Sequence, residues 1–134
     1  MKYPTPVIYL AAAIDQGQPA NLAAAAKQLL LATGHVVFDP AAGWSVPAHA
    51  NPSATLQKAN FALLDQCDGL LAILTPDIMT VGTILEIDHA RRQGLAVAVC
   101  GPQIRASWAL AYLGITPHTH LRDAIGYMKG QFDD

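Results

Sequence analysis

Apolar residues along the chain gather into short, nearly unbroken runs, and polar, glycine or proline residues punctuate them. Pro6–Ala12 (PVIYLAA) is such a run, rich in residues that favour extended backbone, and it predicts a buried strand. His35–Asp39 (HVVFD), closed by Pro40, predicts a second, Gly69–Thr75 (GLLAILT) a third and Leu95–Cys100 (LAVAVC) a fourth. The third is apolar almost throughout, as a central parallel strand covered on both faces must be. Helical segments lie between them. Ala20–Thr33 is rich in Ala and Leu and stops at Gly34, a residue type that readily closes a helix. Ser53 suits the N-cap of a helix running to about Gln66. Gly82–Gln93 predicts a helix ending at Gly94, and Ala106–Leu113 another. A short strand near Thr116–His120 and a last helix from Leu121 complete the chain. Ala41–Pro52 contains Gly43, Pro47 and Pro52 and no periodicity, so it reads as a long loop of the kind that often carries function.

This alternation predicts an α/β fold: a doubly wound parallel sheet of about five strands with helices on both faces. In such sheets ligands bind beyond the carboxyl ends of the strands, where the strand order switches. Four segments fall there: Ala11–Gln18, Asp39–Pro52, Thr75–Gly82 and Gly101–Arg105. The length, 134 residues, suits one domain over residues 1–134. With 52% hydrophobic and 13% charged residues the chain is too apolar for disorder, and some of its surface is expected to be buried against another subunit. A net charge of −2 without a basic block disfavours polymeric nucleic acid as a partner. Cys67 and Cys100 belong to no CxxC or Cys/His array, which fits a reduced, cytoplasmic protein. Met1–Pro6 lacks a signal-peptide pattern and no apolar run reaches membrane-spanning length, so no membrane association is expected. Dinucleotide, P-loop and α/β-hydrolase motifs are absent, and no cofactor is implied. His118 and His120 share a face of the predicted short strand without a third ligand nearby, so no metal is expected.

The candidate chemistry centres on Glu86, about one turn into the helix after the third strand. A carboxylate there faces the crevice while Ile84, Leu85 and Ile87 pack inward. Gly82 and Thr83 at the helix start bring backbone N–H groups toward an anionic or hydroxylated ligand. A carboxylate attacks an electrophilic sugar carbon in many glycosidases. The competing reading is a solvated first-turn glutamate that complements the helix dipole. Tyr9, between Ile8 and Leu10, is placed to hydrogen-bond Glu86 from the strand tip, or else is a core tyrosine with a satisfied hydroxyl. Trp44 in the long loop either stacks on a nucleobase or anchors its own loop. Asp68 reads as structural, and His89, three residues after Glu86, as a surface histidine within reach of it.

From Tyr9 to about Ser107 the chain resembles the nucleoside 2-deoxyribosyltransferase superfamily, which includes nucleoside 5′-monophosphate N-glycosidases. The resemblance is carried by Ile8-Tyr9-Leu10-Ala11, Gly34-His35-Val36-Val37-Phe38-Asp39-Pro40, Leu64-Asp65-Gln66-Cys67-Asp68-Gly69, Val81-Gly82-Thr83-Ile84-Leu85-Glu86 and Arg92-Gln93-Gly94, in that order and spacing. It implies a flavodoxin-like fold and a homodimer or higher homo-oligomer whose sites are completed across subunits. It also implies Glu86 as the catalytic nucleophile with Tyr9 beside it.

Further positions bear on the substrate. Thr80 stands six residues before Glu86, where the transferases carry a base-contacting Asp and the nucleotide hydrolases a phosphate-binding Ser. Ser107 stands where the hydrolases have a second phosphate-binding Ser, although its hydroxyl equally suits a helix cap. Both favour a nucleotide. Ala12, Ala13 and Asp15 follow the first strand, where the hydrolases place a phosphate-binding loop with an Arg, and the Asp15 carboxylate repels phosphate. Asn60, eight residues before Asp68, replaces an Asp that orients sugar hydroxyls. Asp65 lies on another helix face and is a poor substitute. The expected function is N-glycosidic cleavage of a (deoxy)nucleoside 5′-monophosphate through Glu86. The alternatives are base exchange by a 2-deoxyribosyltransferase and a catalytically weak nucleotide-sensing domain.

Overall fold

The computed structural model describes residues 5–12, 20–40, 52–74, 81–101 and 107–133. Four parallel strands form one sheet: β1 (Val7–Ala12), β2 (Val36–Phe38), β3 (Gly69–Ile73) and β4 (Ala96–Cys100). Their order is β2-β1-β3-β4. The order reverses between β1 and β3, so the crevice expected to receive a ligand opens at the carboxyl ends of those two strands. Tyr9 pairs with Phe38 on one side and Leu70 on the other, and Ala12 pairs with Ile73.

The helices are α1 (Ala20–Ala32), α2 (Pro52–Leu64), α3 (Val81–Arg92), α4 (Ser107–Tyr112) and α5 (Leu121–Phe132). The two-residue period of each strand divides the core. Ile8, Leu10, Leu71, Ile73, Ala98 and Cys100 face one side and pack on Ala26 and Leu30 of α1 and on Ile125 and Met128 of α5. Tyr9, Ala11, Leu70, Ala72 and Val99 face the other, against Leu64 of α2, Ile87 and Ala90 of α3 and Leu110 of α4. All five residues of β3 are buried, which explains the uninterrupted apolar run that encodes it. Helices α1 and α3 end at Gly34 and Gly94, whose φ values of 90° and 77° are ones that glycine adopts without steric cost.

Several expectations are corrected. The fifth strand near Thr116–His120 is a single bridge: His118 donates to Val99 O (2.7 Å) and accepts from Gly101 N (2.9 Å), and the chain then turns into α5. His118 and His120 therefore do not share a strand face, and the His118 ring lies 5.5 Å from that of Tyr127. Ser53 is not an N-cap, because α2 already begins at Pro52, a residue whose fixed φ suits the first helical position. Leu85 does not pack inward; it is 48% exposed. Asp68 is structural as expected. Its carboxylate accepts from Val7 N (2.8 Å) and its own N–H donates to Val7 O (2.8 Å), joining the starts of β1 and β3. No helix among the described residues is long and apolar enough to cross a membrane.

Candidate active site

Glu86 is the sixth residue of α3, in the second turn, and is only 7% exposed. It is therefore neither solvated nor in the first turn, where the helix dipole acts most strongly. The dipole-cap reading fails on both counts. The cause lies in α3, which packs across β3 and β4 with Ile87 and Ala90 in the core, and so carries the flank holding Thr83 and Glu86 against the sheet.

A buried carboxylate needs a partner. Tyr9, fully buried on β1, donates its phenolic hydrogen to Oε2 of Glu86. The bond joins two residues 77 apart in sequence. Tyr9 is the third residue of β1, so its phenol reaches Glu86 from mid-strand and not from the strand tip. Its ring also packs against Phe38, with centroids 5.9 Å apart. Burial pushes the Glu86 carboxyl above the ordinary carboxylate range, and the Tyr9 hydrogen bond pulls it partly back. Burial raises the Tyr9 phenol far above its usual value, helped by the hydrogen bond to Glu86 and by the charges of Glu86, Cys67 and Asp39. Tyr9 is therefore a fixed donor at neutral pH.

Asp39 was not singled out in the sequence. It is the residue directly after β2, half-buried, and close enough for its charge to act on Tyr9. The signal that would have found it is strand order: with β2 beside β1 and Phe38 in register with Tyr9, the exit of β2 lies alongside the middle of the strand bearing Tyr9.

Thr83 is buried one turn before Glu86, Gly82 is the second residue of α3, Ala12 ends β1 and Ser107 opens α4. These positions lie around the carboxyl edge of the sheet. Asn60 is half-buried on α2, the helix packed against α3. Ala13, Asp15, Trp44 and Thr80 lie outside the described residues.

His89 does not approach Glu86. Its Nε2 meets Oδ1 of Asp65 at 2.6 Å, and its ring stacks on Phe61 at 4.5 Å, so it clasps α3 to the end of α2. The expected surface histidine is a half-buried link. Cys67 is pushed up to about 11 by burial and by the neighbouring Asp68, and burial also raises Cys100, so neither thiol is an activated nucleophile.

Three comparisons bear on this geometry. The sequence model of the family described as nucleoside 2-deoxyribosyltransferase matches residues 8–127. Among solved structures, the chain is similar to the 2-deoxyribosyltransferase of the psychrotolerant bacterium Bacillus psychrosaccharolyticus, with 20% identity, a TM-score of 0.73, and 90% of this chain and 91% of that chain covered. It is similar to a conserved protein from Enterococcus faecalis V583, with 13% identity, a TM-score of 0.74, and 96% and 99% of the two chains covered. It is also similar to the 2-deoxyribosyltransferase from Leishmania mexicana, with 19% identity, a TM-score of 0.56, and 87% and 76% covered. A comparison with curated proteins finds no match.

Proposed function

The chain belongs to the nucleoside 2-deoxyribosyltransferase family and is an enzyme, and from that premise we propose that it cleaves the N-glycosidic bond of a (deoxy)nucleoside 5′-monophosphate with Glu86 as nucleophile. The observation that carries this reading is the buried hydrogen bond between Tyr9 and Glu86 at the switch in strand order. With Oε2 held by the phenol, attack falls to Oε1. Burial keeps the carboxylate poorly hydrated, which favours its reaction with an electrophilic carbon. Oε1 bonds to C1′, the C1′–N pair leaves with the base, and water then releases the sugar from Glu86.

The 5′-monophosphate is supported by the resemblance of Thr80 and Ser107 to phosphate-binding positions, and Ser107 opens α4 just beyond the exit of β4. Ala12, which ends β1, and Gly82, near the start of α3, are taken in this reading as backbone contacts to the substrate. Base transfer, with a second base in place of water, is the other reading, and the description of the family favours it. Both use Glu86 identically. The same reading takes the enzyme as a cytoplasmic homo-oligomer that completes its sites across subunits. Leu85 and Tyr112, 48% and 87% exposed, offer apolar surface for such a contact.

The test is a panel of nucleosides and 5′-monophosphates, with and without a free acceptor base, followed by chromatography of the released base. Release from monophosphates alone supports the hydrolase, and base exchange supports the transferase. Binding without turnover makes the protein a sensor. Full turnover by a Glu86→Gln variant overturns the nucleophile assignment.

A further inference from the structure

The bond between Tyr9 and Glu86 joins a strand to a helix, so it holds only while α3 keeps its height and rotation over the sheet. The core contacts of Ile87 and Ala90 are apolar and non-directional, and do not by themselves fix a rotation. A directional link comes from the other flank of α3. Nε2 of His89 lies 2.6 Å from Oδ1 of Asp65, and its ring stacks on Phe61 with centroids 4.5 Å and planes 12° apart. An ionised carboxylate only accepts, so Nε2 carries the hydrogen. His89 is one helical turn beyond Glu86, roughly 4.5 Å along the axis. The link closes a ring. Asp65 precedes Asp68 by three residues in the connection from α2 to β3, and Asp68 is bonded twice to Val7 at the start of β1. Two residues along β1, Tyr9 bonds Glu86, and one turn along α3, His89 returns to Asp65. Each step is either a hydrogen bond or a short stretch of one continuous segment. Asp65 is 44% exposed, and an exposed ion pair alone contributes little stability. Its significance here is geometric, because it closes the ring that contains Glu86.

We propose that His89 is a positioning residue: its bond to Asp65 and its stack on Phe61 fix α3 so that the Glu86 carboxylate meets the Tyr9 phenol. His89 touches no reacting atom and acts through Glu86. Its role in turnover depends on Glu86 being the nucleophile, as read above, whereas its hold on the carboxylate does not. Glu86 is the only glutamate in the chain. Protein made with glutamate carrying ¹³C at the side-chain carboxyl therefore reports the titration of this one group by NMR, with no turnover required.

The variants are His89→Leu, which removes bond and stack, Asp65→Ala, which removes the bond alone, and His89→Gln, whose amide keeps a donor for Asp65. In His89→Leu the phenol is expected to lose its hold on Glu86, so the carboxyl titrates at higher pH, the direction in which Tyr9→Phe also moves it. Asp65→Ala is expected to move it the same way by less, and His89→Gln to restore it. With a nucleoside 5′-monophosphate, His89→Leu is expected to lower kcat roughly three- to thirtyfold while KM stays within about threefold. In a Tyr9→Phe background the same substitution is expected to cost less than about twofold, because residues acting through one bond are not additive. A Glu86 titration displaced to lower pH marks a merely loosened helix that admits water, and it overturns the proposal. So does an unchanged titration, or a loss that adds in full to that of Tyr9→Phe. Full turnover by Glu86→Gln overturns the nucleophile reading instead, and the titration still decides whether His89 holds the carboxylate.

Discussion

A phenol and a carboxylate, each nearly or fully removed from water, set the chemistry at the residue scale. Removing the phenolic hydroxyl in Tyr9→Phe leaves Oε2 of Glu86 without its donor. A hydrogen bond to a charged group is worth about 1.5–3 kcal/mol, so turnover is expected to fall roughly ten- to hundredfold. Because that bond lowers the Glu86 pKa, its loss moves the acidic limb of the pH–rate profile to higher pH, which a kinetic titration measures. Glu86 also shapes stability. Its folded pKa lies above the unfolded value, so it supports the fold below the ordinary carboxylate range, and that support is lost as pH rises through the folded value. Glu86→Gln, a neutral isostere, is therefore expected to unfold at a higher temperature than the unmutated protein at neutral pH. The gap should close as pH falls below about 4, the ordinary glutamate value. A thermal melt series across pH checks this. The same substitution is expected to lower turnover by at least about a thousandfold, which would make Glu86 a residue that trades stability for function.

Elements hold the two residues in register. Gly69 opens β3 where the sheet meets α5, and a Cβ there would lie 3.0 Å from Met128 Sδ, 3.1 Å from Ala96 O and 3.1 Å from Ile8 Cδ1. The carbonyl belongs to a neighbouring strand and yields little. Gly69→Ala is expected to destabilise the protein by about 1–3 kcal/mol, read by denaturant unfolding, with turnover per folded molecule unchanged. The strands were legible because a sheet covered on both faces demands continuous apolar runs, as in β3. The helix ends were legible at Gly34 and Gly94 because the backbone there turns left-handed. What escaped the sequence was phase. The α3 boundary lies one residue earlier than predicted, Glu86 is buried in the second turn, and Leu85 faces out although it is as apolar as Ile84 and Ile87. The clasp of His89 to Asp65 and Phe61 depends on how two helices pack, which spacing along one of them does not encode.

For the whole molecule, strand order gathers the chemistry. The order β2-β1-β3-β4 puts β1 inside the sheet, with the exit of β2 on one side and β3, followed by the Glu86 helix, on the other. Residues far apart in sequence thereby meet: Tyr9 donates to Glu86, and the charges of Glu86 and Asp39 both act on its phenol. The family was legible because its motifs sit on periodic elements. Asp39 was not, since its place beside Tyr9 follows from strand adjacency and not from any local pattern. The proposed substrate positions Asp15, Trp44 and Thr80 lie in sequence segments without apolar periodicity, where sequence gives chemistry but no geometry. Covalent glycosylation of Glu86 during turnover is the step on which the proposed chemistry depends. The direct measurement is the intact mass and peptide map of enzyme acid-quenched within the first turnover of a nucleoside 5′-monophosphate. A sugar-phosphate adduct is expected on the peptide containing Glu86 and is expected to be absent from Glu86→Gln. An adduct on another residue, or rapid base release with no adduct and an active Glu86→Gln, would contradict it.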